Sequence, residues 1–189
     1  MVMKMIKYPN NIIPKHKYKT YANRGMTLEN ELNSTNTYYL ENNIAVIYKK
    51  PTPVKVLKQI NGKVIKGYFE KPSTTDYNGL YKGKYIDFEA KETKSKTSFP
   101  LNNIHPHQIK HIKNVTDHKG ICFLIIRFTT LNETYLLFAK DFLNYIENEN
   151  KKSIPLSYIK EKGHLIKDTL MPEVDYIEII NKYGGIIWN

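Results

Sequence analysis

Tyr85-Ile86-Asp87-Phe88-Glu89-Ala90-Lys91 decides how this chain folds. Successive side chains of a strand point to opposite faces, so Ile86, Phe88 and Ala90 share one face and Tyr85, Asp87, Glu89 and Lys91 the other. The first set is apolar and belongs against a core. The second carries three ionisable groups, which cannot all be buried without partners. That face is therefore either solvated, as on an exposed edge strand, or a charged site.

Outward from this strand, the text alternates between strand and helix signals. Leu80 to Lys91 predicts a hairpin around Lys82-Gly83, and Asn78-Gly79 supplies a further turn signal that brings Asp76 back towards Glu89. From Pro106 to Lys119, Ile109, Ile112 and Val115 recur at helical spacing, and Gly120 ends the run. Ile121 to Phe128 is the most apolar strand and belongs centrally in the sheet. Thr134 to Ala139 pairs with it, Asp141 begins an amphipathic helix, and one or two short helices follow Lys152. Upstream, Leu28, Leu32, Thr35, Tyr39 and Leu40 predict a helix capped by Thr27. Ile44 to Tyr48 reads as a strand stopped by Pro51 and Pro53. Val54 to Phe69, turning at Asn61-Gly62, reads as a basic hairpin studded by Lys55, Lys58, Lys63 and Lys66, with too little apolar surface to form a core alone. The result is one α/β domain with a central mixed sheet flanked by helices.

Composition narrows the function classes. The 189 residues suffice for one domain with a real core. Lys+Arg 29 against Asp+Glu 18 leaves a formal charge of +11, which favours a polyanionic partner, nucleic acid before an anionic membrane. The longest apolar stretch, Ile121 to Ile126, is far too short to span a bilayer, and no signal-peptide core follows Lys4 and Lys7. Cys122 is the only cysteine, so an intrachain disulfide and a cysteine zinc site are excluded, and a cytoplasmic location is expected. Residues 1–21 read as a flexible basic arm, and 22–189 as a single domain with 54–69 projecting from it.

Asp76 brought beside Glu89, with Lys91 on the same face, makes an oxygen-rich pocket suited to Mg2+ or Mn2+. Such a metal lowers the pKa of a bound water and stabilises charge on a phosphodiester. Lys91, beside two acids, fits transition-state charge stabilisation or water orientation rather than general-base work.

An Asp followed by Glu-x-Lys on a strand resembles the PD-(D/E)xK nuclease superfamily, whose members have a restriction-endonuclease-like core. Longer blocks are more specific. Tyr21 to Glu29 (Tyr-Ala-Asn-Arg-Gly-Met-Thr-Leu-Glu), Ile44 to Pro53, Ser73 to Gly79 and Tyr85 to Thr93 resemble RecU, a family of Holliday junction resolvases of low-GC Gram-positive bacteria and mollicutes. Ser98 to Leu101, His107-Gln108 and Gly120 to Phe123 continue the likeness, which runs from roughly Tyr18 to Tyr183. The resemblance implies Mg2+ held by Thr74, Asp76, Glu89 and Gln108, with Lys91 as transition-state stabiliser. It also implies a homodimer, a protruding β-hairpin stalk at Val54 to Phe69 that enters the junction centre, and Arg24 as a DNA contact. Recombination proteins such as the strand-exchange recombinase or the branch-migration motor are implied partners.

Other polar residues have plainer readings. Asp87 is expected to be solvated or to support the site from behind, and Glu92 only to flank it. Glu29 is either near the metals or an exposed helix residue. His105, His107 and His111 are expected to be exposed or on DNA backbone, and Cys122 to be packed in the core. Three functions compete: a junction-selective endonuclease making paired nicks in recombination and repair, a restriction- or repair-type duplex nuclease, and a DNA-binding protein without catalysis.

Overall fold

The computed structural model describes residues 27–69 and 73–183. The predicted N-terminal arm, Arg24 and the tail 184–189 lie outside these residues. Helix α1 (Leu28–Glu41) opens the described chain, followed by β1 (Val46–Lys49), β2 (Val54–Ile60), β3 (Lys63–Phe69), β4 (Tyr77–Tyr81) and β5 (Lys84–Thr93). A short β6 (Ser98–Pro100) leads to α2 (Pro106–Asp117), then β7 (Ile121–Phe128), β8 (Glu133–Phe138) and α3 (Ala139–Asn148). The chain ends through β9 (Ser153–Pro155), α4 (Leu156–Lys162), β10 (His164–Ile166) and α5 (Tyr176–Tyr183). The three-residue strands β6, β9 and β10 were not legible in the sequence, because runs that short carry no periodicity.

One six-stranded sheet, ordered β1-β4-β5-β7-β8-β10, organises the molecule. It is mixed: β5 and β7 pair in parallel over eight residues, from Ile86↔Ile121 to Thr93↔Phe128, while its other neighbours pair antiparallel. A parallel pair needs a crossover, and α2 supplies it. Strand β7 is central as predicted, and its alternation feeds two cores. Ile121, Phe123 and Ile125 pack with α1 and α5, whereas Cys122, Leu124, Ile126 and Phe128 pack with α2, α3 and α4. On the first face a column of rings crosses three strands: Phe88 stacks on Tyr77 and on Phe123, both at 4.8 Å, and Tyr176 tilts against Phe88 and Phe123. Removing such a ring from a packed core costs on the order of 3–5 kcal/mol.

Asn78-Gly79 is a correction to the sequence reading. Both residues lie inside β4, and the hairpin turns only at Lys82-Gly83, where φ is positive at both positions (46° and 76°). Gly79 is glycine for a different reason. A Cβ there would sit 2.0 Å from the carbonyl oxygen of Val46, so β1 can close on β4 only without one.

Strands β2 and β3 form a two-stranded sheet of their own, turning at Asn61-Gly62 with φ of 48° and 76°. Every residue of both strands is exposed. These include apolar side chains, among them Val56, Leu57, Ile65 and Phe69, so the hairpin is more apolar than its lysines suggested. No helix among the described residues is long and apolar enough to cross a membrane.

Candidate active site

The charged face of β5 is covered rather than solvated. Helix α2 lies over it, in the layer that contains Ile112, Cys122 and Leu124, and Asp87 and Glu89 are both fully buried. Two α2 side chains three residues apart meet two β5 side chains two residues apart. Gln108 Nε2 donates to Glu89 Oε1 at 2.7 Å, and His111 Nε2 lies 3.1 Å from Asp87 Oδ2. Helical i, i+3 spacing and strand i, i+2 spacing both place side chains in one row, which is why the two rows match.

Glu89 is buried between a lysine and a second acid. Lys91 Nζ reaches its Oε1 and lies 4.0 Å from Asp76 Oδ2. Glu89 Oε2 is buried and has no hydrogen-bond donor among the described residues. Burial first, and then the negative charge of Asp76, push the Glu89 carboxyl up to about 7, against the opposing pull of Lys91. Asp76 is one-third exposed, and its Oδ2 accepts the backbone N–H of Ala90 at 3.1 Å. A buried, donor-free carboxylate oxygen beside a second acid is what a divalent cation would satisfy. No three His, Cys, Asp or Glu side chains form a cation cage among the described residues. The predicted donors differ in kind, being two carboxylates, a hydroxyl and an amide.

The other predicted donors are placed less directly. Gln108 is buried at the third position of α2, where its Oε1 accepts the N–H of His105 at 2.9 Å while its nitrogen faces Glu89. In this pose it orients Glu89, and offering its oxygen to a cation requires the amide to turn. Thr74 is exposed, and its Oγ1 accepts from Lys50 Nζ at 3.0 Å. Lys55, Lys58, Lys63 and Lys66 are all exposed on the β2–β3 hairpin.

His111 departs from the sequence reading, whereas Asp87 takes the supporting place that was one of its two expected roles. Asp87 accepts from Lys50 at 2.6 Å, from the Tyr85 hydroxyl at 2.7 Å and from the Thr75 hydroxyl, besides facing His111. It is a fully partnered buried carboxylate, and His111 is held on it rather than simply exposed. Burial and the bond to Asp87 push the Tyr85 phenol up to about 12, so it remains a donor at neutral pH. Lys50 was missed altogether. The available signal was strand alternation, since one of the adjacent lysines Lys49 and Lys50 had to point inward. Glu92 accepts the N–H of Leu28 and so serves the first turn of α1, where Thr27 makes no side-chain cap. Glu29 is exposed and paired with Lys49, and Cys122 is buried in the core as expected.

Comparison with known proteins shows the family. The family model described as Recombination protein U matches residues 23–182. A Streptococcus thermophilus protein named Holliday junction resolvase RecU is 47% identical, with 96% of this chain and 98% of that protein aligned. Proteins of the same name from Oceanobacillus iheyensis (51% identical, 92% of each chain) and Geobacillus sp. strain WCH70 (55% identical, 86% of this chain and 85% of that one) are similar to it. The buried acid–lysine strand thus sits inside a match that spans most of the sequence, and the chain belongs to the RecU family.

Proposed function

We propose that this protein is a Mg2+-dependent endonuclease that resolves four-way (Holliday) DNA junctions by paired symmetric nicks, in recombination and DNA repair. The observation that carries the proposal is Glu89: buried, with one oxygen lacking a donor, beside Asp76 and Lys91 in a RecU-family chain. Asp76 and Glu89 would hold the cation, with Thr74 and, once its amide turns, Gln108 completing the donors, and Mn2+ is an acceptable substitute. When bound, the cation neutralises charge at the scissile phosphate and acidifies the attacking water. Lys91, its ammonium already aimed at this spot, stabilises charge developing on the phosphate oxygens. Until its amide turns, Gln108 holds the Glu89 carboxylate in place, and the α2 layer excludes water from its buried side.

The described residues form one nuclease domain with a restriction-endonuclease-like core, in which β2 and β3 are a stalk for the junction centre. Lys55, Lys58, Lys63 and Lys66 are placed there to meet converging phosphates, and Arg24 is a further DNA contact. Two equivalent scissile phosphates call for two sites related by a two-fold axis, hence a homodimer. The exposed apolar side chains of the hairpin and of Val46 and Tyr48 on β1 offer surface for it. Recombination proteins such as the strand-exchange recombinase or the branch-migration motor are further partners, in the cytoplasm. The test is Mg2+-dependent cleavage of a synthetic mobile four-way junction against a linear duplex of the same sequence. Cutting of both at equal rates would favour a duplex nuclease, and cutting of neither a binding protein.

A further inference from the structure

Two lysines end strand β1 and its exit, and they are used differently. Lys49 points outward, nearly half exposed, to Glu29. Lys50 points inward, with its side chain only 13% exposed, although an unpaired ammonium is among the costliest groups to bury. Its partners account for this. An ammonium has three N–H donors, and those of Lys50 reach Thr74 Oγ1 at 3.0 Å, Thr75 Oγ1 at 2.6 Å and Asp87 Oδ2 at 2.6 Å. The Lys50 backbone N–H also donates to the carbonyl of Asp76 at 2.8 Å. One residue therefore grips three consecutive positions, 74, 75 and 76, and ties them to β5.

Asp87 is the other end of this tie. A carboxylate offers about four lone-pair positions, and Lys50, Thr75, Tyr85 and His111 stand at Asp87. Lys50, Tyr85 and His111 share its Oδ2 and Thr75 holds its Oδ1, so neither oxygen is without a partner. Glu89, two residues on along the same face, has one that is. Neighbouring acids on one strand thus divide the labour: Asp87 anchors, and Glu89 is left open.

We propose that Lys50 is a positioning residue for the divalent-cation site, its ammonium and backbone pinning residues 74–76 against β5 so that the Asp76 carboxylate and the Thr74 hydroxyl are presented at Glu89. The proposal rests on the cation reading of that site given above. It separates Lys50 from the lysines of the hairpin: with all three donors engaged internally, Lys50 is not a phosphate ligand, and its removal acts on metal affinity rather than on DNA affinity.

The experiment uses the full chain and two kinds of measurement. Mn2+ affinity is measured without DNA, by titration calorimetry or by the resonance of free Mn2+, and the half-saturating Mg2+ is taken from junction cleavage. Junction affinity is measured separately in EDTA. Lys50→Met is expected to weaken Mn2+ binding by about 10-fold or more, the range seen when groups that orient metal ligands are removed, and to raise half-saturating Mg2+ in parallel. Metal-free junction affinity and its salt dependence are expected to stay within about 2-fold, since no phosphate contact is lost. Lys50→Met leaves Asp87 buried without its counter-charge, so Lys50→Met/Asp87→Asn, which removes both charges, carries the same expectation if the single variant fails to fold. A folded variant of either kind that binds Mn2+ as wild type does overturns the proposal. So does a loss seen only as weaker, less salt-dependent junction binding. If wild-type protein binds no Mn2+, the cation reading itself fails, an outcome distinct from a wild type that binds and a variant that matches it.

Discussion

Gln108 Nε2 lies 2.7 Å from Glu89 Oε1, joining the first turn of α2 to the middle of β5 across 19 residues of sequence. The same Gln108 returns its Oε1 to the N–H of His105, so the helix start and the carboxylate are fixed by one side chain. Both ends of its amide are engaged, and of the Glu89 carboxylate Oε1 takes Gln108 and Lys91 while Oε2 is left unsatisfied.

Glu89→Gln removes the negative charge from that position while keeping its shape. Metal-dependent junction cleavage should fall by at least about 100-fold, a loss of roughly 2.7 kcal/mol or more in transition-state stabilisation. Junction affinity in EDTA should hardly change. Gel-based cleavage and binding assays on the same preparation check both, and cleavage at a near-normal rate would falsify the metal assignment.

Lys91→Ala tests a different role. Cleavage should again be lost, yet Mn2+ affinity should persist, because Lys91 lies beside the two acids without being a ligand. Titration calorimetry on the variant decides the matter: abolished metal binding would mean that Lys91 shapes the site rather than serving the transition state.

Glu89 also predicts how stability responds to pH. Its carboxyl titrates near 7 in the folded chain against 4.5 ordinarily, so between those values the folded state holds a proton that the unfolded state has released. Metal-free stability should therefore decline as pH rises through this window, by on the order of 3 kcal/mol from this group. Mg2+, which favours the ionised form, should offset the decline, so its stabilising effect should be larger at pH 7.5 than at pH 5.5. Melting curves of wild type and Glu89→Gln in EDTA isolate the contribution. Identical pH slopes would show that Glu89 is not its source.

Gly79→Ala should loosen β1. The added methyl meets the Val46 carbonyl oxygen at 2.0 Å and Ile47 Cα at 2.6 Å, neither of which is the end of a flexible side chain. A cost on the order of 3 kcal/mol is expected from backbone displacement. Because β1 leads into Lys50, metal affinity should weaken as well. Urea unfolding midpoints read the first effect, and an unchanged midpoint would mean that the edge strand can shift freely.

Deleting Lys55 to Lys66 and closing the gap with a short Gly-containing turn tests the stalk. Its residues are all exposed, so the protein should stay folded and bind Mg2+ as before. Preference for a four-way junction over a duplex should largely disappear. Competition binding with both DNAs measures it, and unchanged selectivity would assign junction recognition to the rest of the surface.

Much of this protein was determined by local pattern. The apolar run Ile121 to Phe128 read as a buried central strand, and it lies between β5 and β8. Asn61-Gly62 and Lys82-Gly83 made turns because glycine accepts positive φ without strain. Alternation along Tyr85 to Lys91 put Asp87, Glu89 and Lys91 on one face. Tertiary structure decided what that face meets. Periodicity says which way a side chain points but not what stands opposite, and here α2 and Lys50 cover it from 19 to 37 residues away in sequence. For the same reason Asn78-Gly79, a turn signal by composition, became the interior of β4 once β1 approached too closely for any Cβ. Two acids on the same strand face were given different surroundings by the tertiary structure: Asp87 met donors at both oxygens and became an anchor, whereas Glu89 kept one oxygen bare.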